Sequence, residues 1–136
     1  MPVRVLIVED SEEIRQSVCS MLQDSADFRV IGEANDGVQG INQSQTLQSD
    51  VSLLDLSMPI LSGLGAAPRM LQVSPDSKIL MFSHYDSAHI VTASLNAGAL
   101  GYVVKSDAGK DLMAGLLATS QSKQFVSSGV VAAGQT

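Results

Sequence analysis

The chain has 136 residues, which is the size of one ordinary domain. Hydrophobic residues make up 45% of it and aromatic residues only 4%, so the core must consist of Val, Ile, Leu, Met and Ala, as is typical of α/β proteins. The formal net charge of −6 disfavours direct nucleic-acid binding by this domain, because phosphate backbones are bound by clustered Lys and Arg. The single cysteine excludes an intramolecular disulfide.

The start of the chain and its apolar runs indicate where the protein works. Met1-Pro2-Val3-Arg4 leads directly into a short apolar strand, without the apolar region of a signal peptide. Charge or glycine interrupts every apolar stretch well before it could cross a bilayer. We therefore expect a cytoplasmic location and no membrane partner.

The first predicted unit is a buried strand followed by a helix. Val5-Leu6-Ile7-Val8 is apolar on both faces, as expected of a parallel strand that is covered on both sides. Ser11 can cap the next helix. One apolar stripe then recurs at helical spacing, formed by Ile14, Val18, Met21 and Leu22.

The same alternation of strand and helix is predicted four more times. Strands are predicted at residues 28–34, 51–54, 78–82 and 101–104, and helices at 38–47, 64–71, 87–97 and about 108–120. The third helix is the weakest of these, since Gly63, Gly65 and Pro68 lie where it should run. We expect it to be short, to start late or to kink.

The last part of the chain has a different character. Residues 123–136 carry few charges and show no clear period, which predicts a domain exit or the start of a linker. Residues 1–122 are accordingly predicted to form the domain.

Alternating buried strands and amphipathic helices predict a doubly wound parallel sheet with helices on both faces and right-handed crossovers. Ligands of such sheets bind beyond the carboxyl ends of the strands, where the chain order reverses. Glu9 and Asp10 follow the first predicted strand, Asp55 the third, Ser83 the fourth and Lys105 the fifth. These five side chains are therefore expected to gather in one crevice.

Three carboxylates in one crevice repel one another unless a cation neutralises them. Mg²⁺ suits this set, because it accepts a few carboxylates together with water and a substrate phosphate. Asp55 could then attack phosphorus and form an aspartyl-phosphate, while Lys105 and the metal offset its charge and Ser83 donates to a phosphoryl oxygen.

Four segments of the chain resemble the receiver domains of bacterial two-component response regulators, and the likeness extends from Val3 to about Ser128. They are Val5-Leu6-Ile7-Val8-Glu9-Asp10, Leu53-Leu54-Asp55-Leu56-Ser57-Met58-Pro59, Ser83, and Ala97-Gly98-Ala99-Leu100-Gly101-Tyr102-Val103-Val104-Lys105. The resemblance implies a flavodoxin-like (CheY-like) doubly wound sheet of five parallel strands in the order 2-1-3-4-5, with five helices.

The resemblance also implies a role for each matching residue. Asp55 corresponds to the phosphoacceptor, Glu9 and Asp10 to the metal-binding acids, Ser83 to the switch hydroxyl, Lys105 to the essential lysine and Tyr102 to the switch aromatic. The backbone carbonyl of Ser57 corresponds to a main-chain metal ligand. Glu9 replaces the commoner aspartate, which leaves open whether it reaches the metal directly or through water.

The segments Val30-Ile31-Gly32-Glu33-Ala34 and Gly98-Ala99-Leu100-Gly101-Tyr102 are most similar to the LuxR-type (NarL-like) subclass. That resemblance implies a sensor histidine kinase as partner, a homodimer on phosphorylation, and a helix-turn-helix output domain beyond this chain that controls transcription. An isolated receiver and a single-domain regulator both stay open. After phosphorylation, Ser83 and Tyr102 would shift and remodel the surface of the fourth helix, fifth strand and fifth helix.

Three other functions agree less well with the sequence. A flavin-binding module would need a phosphate cradle after the first strand, where Glu9 and Asp10 would repel phosphate. Phosphatases with an aspartate nucleophile place a second Asp two residues later, where this chain has Ser57. A pseudo-receiver would keep the fold only for protein contacts, and the intact set of acids, hydroxyl and lysine argues against it.

Overall fold

A computed structural model describes residues 1–130 of the chain. In this range the strands are β1 (Val3–Val8), β2 (Phe28–Ala34), β3 (Val51–Asp55), β4 (Lys78–Ser83), β5 (Gly101–Val104) and β6 (Phe125–Val126). The helices of the same range are α1 (Glu12–Gln23), α2 (Gly37–Leu47), α3 (Gly63–Val73), α4 (Ala88–Asn96) and α5 (Ala108–Ser120).

All neighbouring strands are parallel, and the sheet order is β2-β1-β3-β4-β5-β6. The predicted α/β class, the five helices and the order of the first five strands are confirmed. The prediction of a five-stranded sheet is wrong, because a sixth strand continues the sheet beyond β5. None of the helices within residues 1–130 has both the length and the apolar character that crossing a bilayer requires.

The two faces of the sheet carry separate hydrophobic cores, because successive strand residues point to opposite faces. Val5 and Ile7 pack with α1 and α5 on one face, where Leu22 and Leu116 are fully buried. Leu6 and Val8 face the other side and pack with residues of α2, α3 and α4. Both faces of β1 are therefore covered, which explains why its sequence is continuously apolar.

Polar caps fix the starts of the first four α-helices. The side chain of Ser11 accepts a hydrogen bond from the Ile14 N–H at the start of α1, as predicted. Asp36, Ser62 and Ser87 cap the next three helices in the same way.

The third helix differs from its prediction. It starts early, at Gly63, and runs for 11 residues through Pro68. The Ser62 cap fixes its beginning, and the Gly63 N–H donates to the Leu56 carbonyl at 2.8 Å. A β-carbon on Gly63 would lie 2.4 Å from the Asp55 carbonyl oxygen, so glycine allows the helix to begin directly against the end of β3.

The sixth strand lies in the segment that was predicted to leave the domain. Phe125 and Val126 pair with Gly101 and Tyr102 of β5. A strand of two residues is too short to show a period, so the sequence pattern did not reveal it. The division into residues 1–122 and 123–136 stays a prediction, and residues 131–136 lie outside the described part of the chain.

Candidate functional site

The candidate site lies at the carboxyl ends of the strands, where β1 sits between β2 and β3 and the chain order reverses. Glu9 is buried there; its main chain and its Oε2 make hydrogen bonds, and its Oε1 forms an ion pair. Its N–H donates to the Ala34 carbonyl at 2.9 Å, and its own carbonyl accepts from Arg15 Nη1 at 2.8 Å. Its Oε2 accepts from the Ser11 N–H at 3.0 Å, and its Oε1 lies 2.7 Å from Lys105 Nζ.

Lys105 joins two of the predicted acids. Its Nζ lies 3.2 Å from Asp55 Oδ1 as well as 2.7 Å from Glu9 Oε1, and the Lys105 side chain is only 8% exposed. The same Nζ lies 5.5 Å from the centre of the Phe82 ring, a favourable cation–π distance. The Ser57 N–H donates to Asp55 Oδ1 at 3.3 Å. Asp55 is therefore buried, and its Oδ1 contacts both Lys105 Nζ and the Ser57 N–H.

Asp10 completes an acidic cluster that fits a divalent cation. One carboxylate oxygen from each of Glu9, Asp10 and Asp55 lies within 4.8 Å of the others. Glu9 and Asp55 are buried while Asp10 is exposed, so the cluster has one open side. Three carboxylates outnumber the single ammonium of Lys105, and oxygen donors of this kind suit a hard cation such as Mg²⁺.

The surroundings change the pKa values of Asp55 and Asp10 in opposite directions. Burial raises the pKa of Asp55 to about 8, hydrogen bonding with Glu9 and Asp10 and repulsion by Glu9 add to the increase, and attraction to Lys105 opposes it. Burial also raises the pKa of Asp10, but its hydrogen bonds with Asp55 and Glu9 and its attraction to Lys105 leave that pKa below its usual value. Without a cation, a proton is therefore held on Asp55 near neutral pH.

Two further predicted residues meet at the main chain of Tyr85. Ser83 is buried at the end of β4, and its Oγ accepts a hydrogen bond from the Tyr85 N–H at 3.1 Å. Tyr102 is fully buried on β5, and its hydroxyl donates to the Tyr85 carbonyl at 2.8 Å. Burial raises the pKa of Tyr102, so its hydroxyl stays protonated. One loop residue thus links the two predicted switch side chains.

An open cavity of about 340 Å³ joins these groups. Six of the seven predicted site residues line it, and Tyr102 lies behind it through its bond to Tyr85. The predicted residues of the lining are Glu9, Asp10, Asp55, Ser57, Ser83 and Lys105. The structure therefore brings the predicted set together at one rim of the sheet.

Sequence reasoning missed two residues that shape the site. Arg15 binds the Glu9 carbonyl, and Tyr85 connects Ser83 with Tyr102. These contacts involve main-chain atoms, which every residue has. The residue types in the sequence therefore do not indicate them.

Known proteins are similar to this chain in sequence and in fold. Residues 5–116 match the family model described as the response regulator receiver domain. A protein-glutamate methylesterase/protein-glutamine glutaminase of Idiomarina loihiensis is 37% identical over 77% of this chain and 28% of its own length. The nitrate/nitrite response regulator protein NarL of Escherichia coli is 33% identical over 85% of this chain and 53% of its own length.

A solved structure supports the same relationship. The signal receiver domain of the putative response regulator NarL from Mycobacterium tuberculosis superimposes with a TM-score of 0.83 at 28% identity, covering 88% of this chain and 97% of that one. The predicted likeness to NarL-type regulators is thereby confirmed. From the match over residues 5–116, the chain belongs to the response regulator receiver domain family.

Proposed function

We propose that this receiver domain accepts a phosphoryl group on Asp55 from a histidine kinase, in a reaction that requires Mg²⁺. The observation that carries the proposal is the position of Asp55 in the cavity, close to Glu9 and Asp10 and 3.2 Å from the ammonium of Lys105. A carboxylate in this setting can act as a nucleophile when its proton is displaced.

The transfer forms one bond and breaks one. A carboxylate oxygen of Asp55 bonds to phosphorus, and the bond from phosphorus to the imidazole nitrogen of phosphohistidine breaks with its electron pair on nitrogen. Lys105 offsets the charge of the transferred group, and Ser83 can donate to one of its oxygens. Mg²⁺, when held by Asp10, Asp55 and the carbonyl of Ser57, would supply further positive charge to the transferred oxygens.

Glu9 contributes mainly by holding its neighbours. Both of its carboxylate oxygens have protein partners, the Ser11 N–H and Lys105 Nζ. A direct bond from Glu9 to the cation would compete with these contacts. We therefore propose that Glu9 contacts the cation through water and fixes Lys105 at the rim of the cavity.

Ser83, Tyr85 and Tyr102 form the proposed switch. If the Ser83 side chain rotates so that its Oγ moves to a phosphoryl oxygen, Oγ leaves the Tyr85 N–H and the hydrogen bond that it accepts there is lost. The Tyr85 carbonyl also holds the Tyr102 hydroxyl, so both bonds are expected to rearrange together. The remodelled surface comprises α4, β5 and α5, and β6 now covers part of it.

A second cavity offers a place for the kinase. It measures about 400 Å³ and opens beside Lys105, between α1 and the start of α5. Its walls are largely apolar, with Ile14, Val18, Met21, Phe82 and Ala108. An amphipathic helix that carries phosphohistidine would fit such a groove with its apolar face.

Phosphorylation of this domain is expected to act on a longer protein. The chain spans about a quarter to a half of the length of the curated relatives named above. From the resemblance to LuxR-type regulators, we propose a cytoplasmic regulator in which the phosphorylated receiver forms a homodimer and controls a helix-turn-helix output domain.

A phosphorylation assay tests the proposal. The protein is incubated with acetyl phosphate and Mg²⁺, and covalent phosphate is followed by intact mass and by its release with hydroxylamine, which cleaves acyl phosphates. We expect one phosphoryl group per chain, none in EDTA, and about a tenfold or greater loss of rate in Asp10→Asn. Asp24→Asn is the matched control, because Asp24 ends α1 away from the cavity. No phosphorylation of the native protein with Mg²⁺ would refute the proposal.

A further inference from the structure

Arg15 has no part in the chemistry described above, yet it makes two directed contacts beside the acidic cluster. Its Nη1 donates to the Glu9 carbonyl at 2.8 Å, and its Nε donates to Glu33 Oε1 at 3.0 Å. The Arg15 side chain is 17% exposed and its bond to the Glu9 carbonyl is partly buried, whereas its bond to Glu33 is exposed, since the Glu33 side chain is 46% exposed. The guanidinium therefore bridges the carboxyl ends of β1 and β2.

The Glu9 carbonyl belongs to the peptide group that joins Glu9 to Asp10. Because a peptide group is planar, fixing this oxygen fixes the plane from which Asp10 starts. The Glu9 N–H is held separately by the Ala34 carbonyl, at 2.9 Å. Main-chain atoms on both sides of Glu9 are thus anchored, and the Cα of the exposed Asp10 lies in the peptide plane that Arg15 contacts.

We propose that Arg15 is a positioning residue, which directs the Asp10 carboxylate toward Asp55 and so increases the affinity of the acidic cluster for a divalent cation. This inference rests on the proposed function, because it concerns the same cation site. Arg15 touches neither the cation nor the phosphoryl group. It acts through the Glu9–Asp10 peptide, with Glu33 holding the other side of its guanidinium.

Removing Arg15 should change the Mg²⁺ affinity in one direction if its charge matters most, and in the opposite direction if it positions Asp10. A positive charge near three carboxylates competes with a cation, so its loss alone should tighten Mg²⁺ binding. Loss of positioning should weaken it, since groups that orient metal ligands typically contribute about 10–100-fold in affinity. The direction of the change therefore distinguishes the two roles.

The test measures Mg²⁺ affinity directly, by isothermal titration calorimetry without any phosphodonor. Arg15→Gln removes the charge, while Arg15→Lys keeps the charge but cannot make both bonds from one planar group. We expect both variants to bind Mg²⁺ about tenfold more weakly than the native protein. Glu33→Gln keeps an oxygen that can accept from Nε and should lose less.

The matched control is Arg29→Gln, which removes an exposed arginine of β2 near the opposite end of the strands and should leave Mg²⁺ affinity unchanged. Circular dichroism establishes that each variant folds. If Arg15→Gln does not fold, the Mg²⁺ affinity of Arg15→Lys is compared with that of the native protein instead.

Native-like or tighter Mg²⁺ binding by folded Arg15→Lys would overturn the positioning role, while the proposed function would stand. Absence of Mg²⁺ binding by the native protein would instead overturn the proposed function, and this inference with it.

Discussion

At the level of single residues, the site holds the ammonium of Lys105 between two acidic side chains. Lys105 contacts Glu9 and Asp55 at once, and its own side chain is almost entirely buried. Burial raises the pKa of Asp55 to about 8, and the neighbouring acids Glu9 and Asp10 add to the increase, so Asp55 keeps a proton near neutral pH. A divalent cation that binds here would have to displace this proton.

The raised pKa of Asp55 predicts how the stability of the protein depends on pH. The pKa of Asp55 is raised in the folded state above its ordinary value of 3.8, so its stabilising contribution is complete below about pH 4 and is lost as pH rises through about 8. We expect the Tm of the metal-free native protein, measured relative to Asp55→Asn, to fall between pH 5 and about pH 8.5. A native Tm that rose relative to Asp55→Asn over this range would contradict the account.

Added Mg²⁺ should raise the Tm of the native protein more at about pH 8 than at pH 6, because the cation must displace the proton on Asp55. Asp55→Asn has no such proton and should show a smaller and flatter response. The measurement is a thermal melt followed by circular dichroism, with and without Mg²⁺.

At the scale of elements, α3 shows how a capped start can outweigh an unfavourable residue. Pro68 has no N–H to give to the Leu64 carbonyl, yet the helix continues to Val73. Its buried side chains, Ala66, Ala67 and Met70, belong to one hydrophobic core. Packing therefore maintains the helix through the proline.

Pro68→Ala should stabilise the protein by about 1–3 kcal/mol, because it restores the missing hydrogen bond and Pro68 is exposed. Urea unfolding measures the change. Gly109→Ala in α5 is the comparison, since its added β-carbon meets nothing within 4 Å and should add only about 1 kcal/mol. Destabilisation by Pro68→Ala would show that the proline ring is itself required.

The sixth strand is secured by a buried serine. The Ser127 N–H donates to the Tyr102 carbonyl at 2.9 Å, and Ser127 Oγ accepts from the Val104 N–H at 3.0 Å. Val104 directly precedes Lys105, so the contact anchors the strand end that leads into the site. The segment after Lys123 is therefore part of the folded sheet up to this point.

Ser127→Ala should destabilise the protein by about 1–3 kcal/mol, because it leaves the buried Val104 N–H without an acceptor. Ser128→Ala is the matched control, since its exposed hydroxyl only accepts from Lys110 at 2.7 Å and its loss should cost little. Equal unfolding free energies for the two variants, measured in urea, would mean that the Ser127 contact does not hold β6 in place.

At the scale of the whole molecule, the doubly wound sheet explains what could be predicted. Glu9, Asp55, Ser83 and Lys105 lie at or directly beyond the ends of apolar strands, so strand assignment alone brings them to one edge. The Arg15 contact and the Tyr85 bridge could not be predicted, because they use main-chain atoms whose positions depend on the folded chain. The strand β6 has two residues, which is too short for a periodic pattern in the sequence. The continuation of α3 beyond Pro68 depends on packing in the hydrophobic core, which the sequence pattern does not show.

The sixth strand also changes the proposed signalling surface of the molecule. In a five-stranded sheet β5 would present an open edge, whereas here β6 pairs with it through Phe125 and Val126. Tyr102 pairs with Val126 and its carbonyl accepts from the Ser127 N–H, so we expect a movement of Tyr102 to displace β6. The route from the site to any following domain is expected to pass through this strand.

The proposed function depends on Asp55, at the end of β3, being the phosphoacceptor. The most direct test is to phosphorylate the protein with acetyl phosphate and Mg²⁺, reduce the acyl phosphate with borohydride, and map the modified residue by peptide mass spectrometry. The account predicts modification at Asp55 and none in Asp55→Asn under the same conditions. Modification of Asp10 or another acid in the native protein, or undiminished phosphorylation of Asp55→Asn, would contradict it.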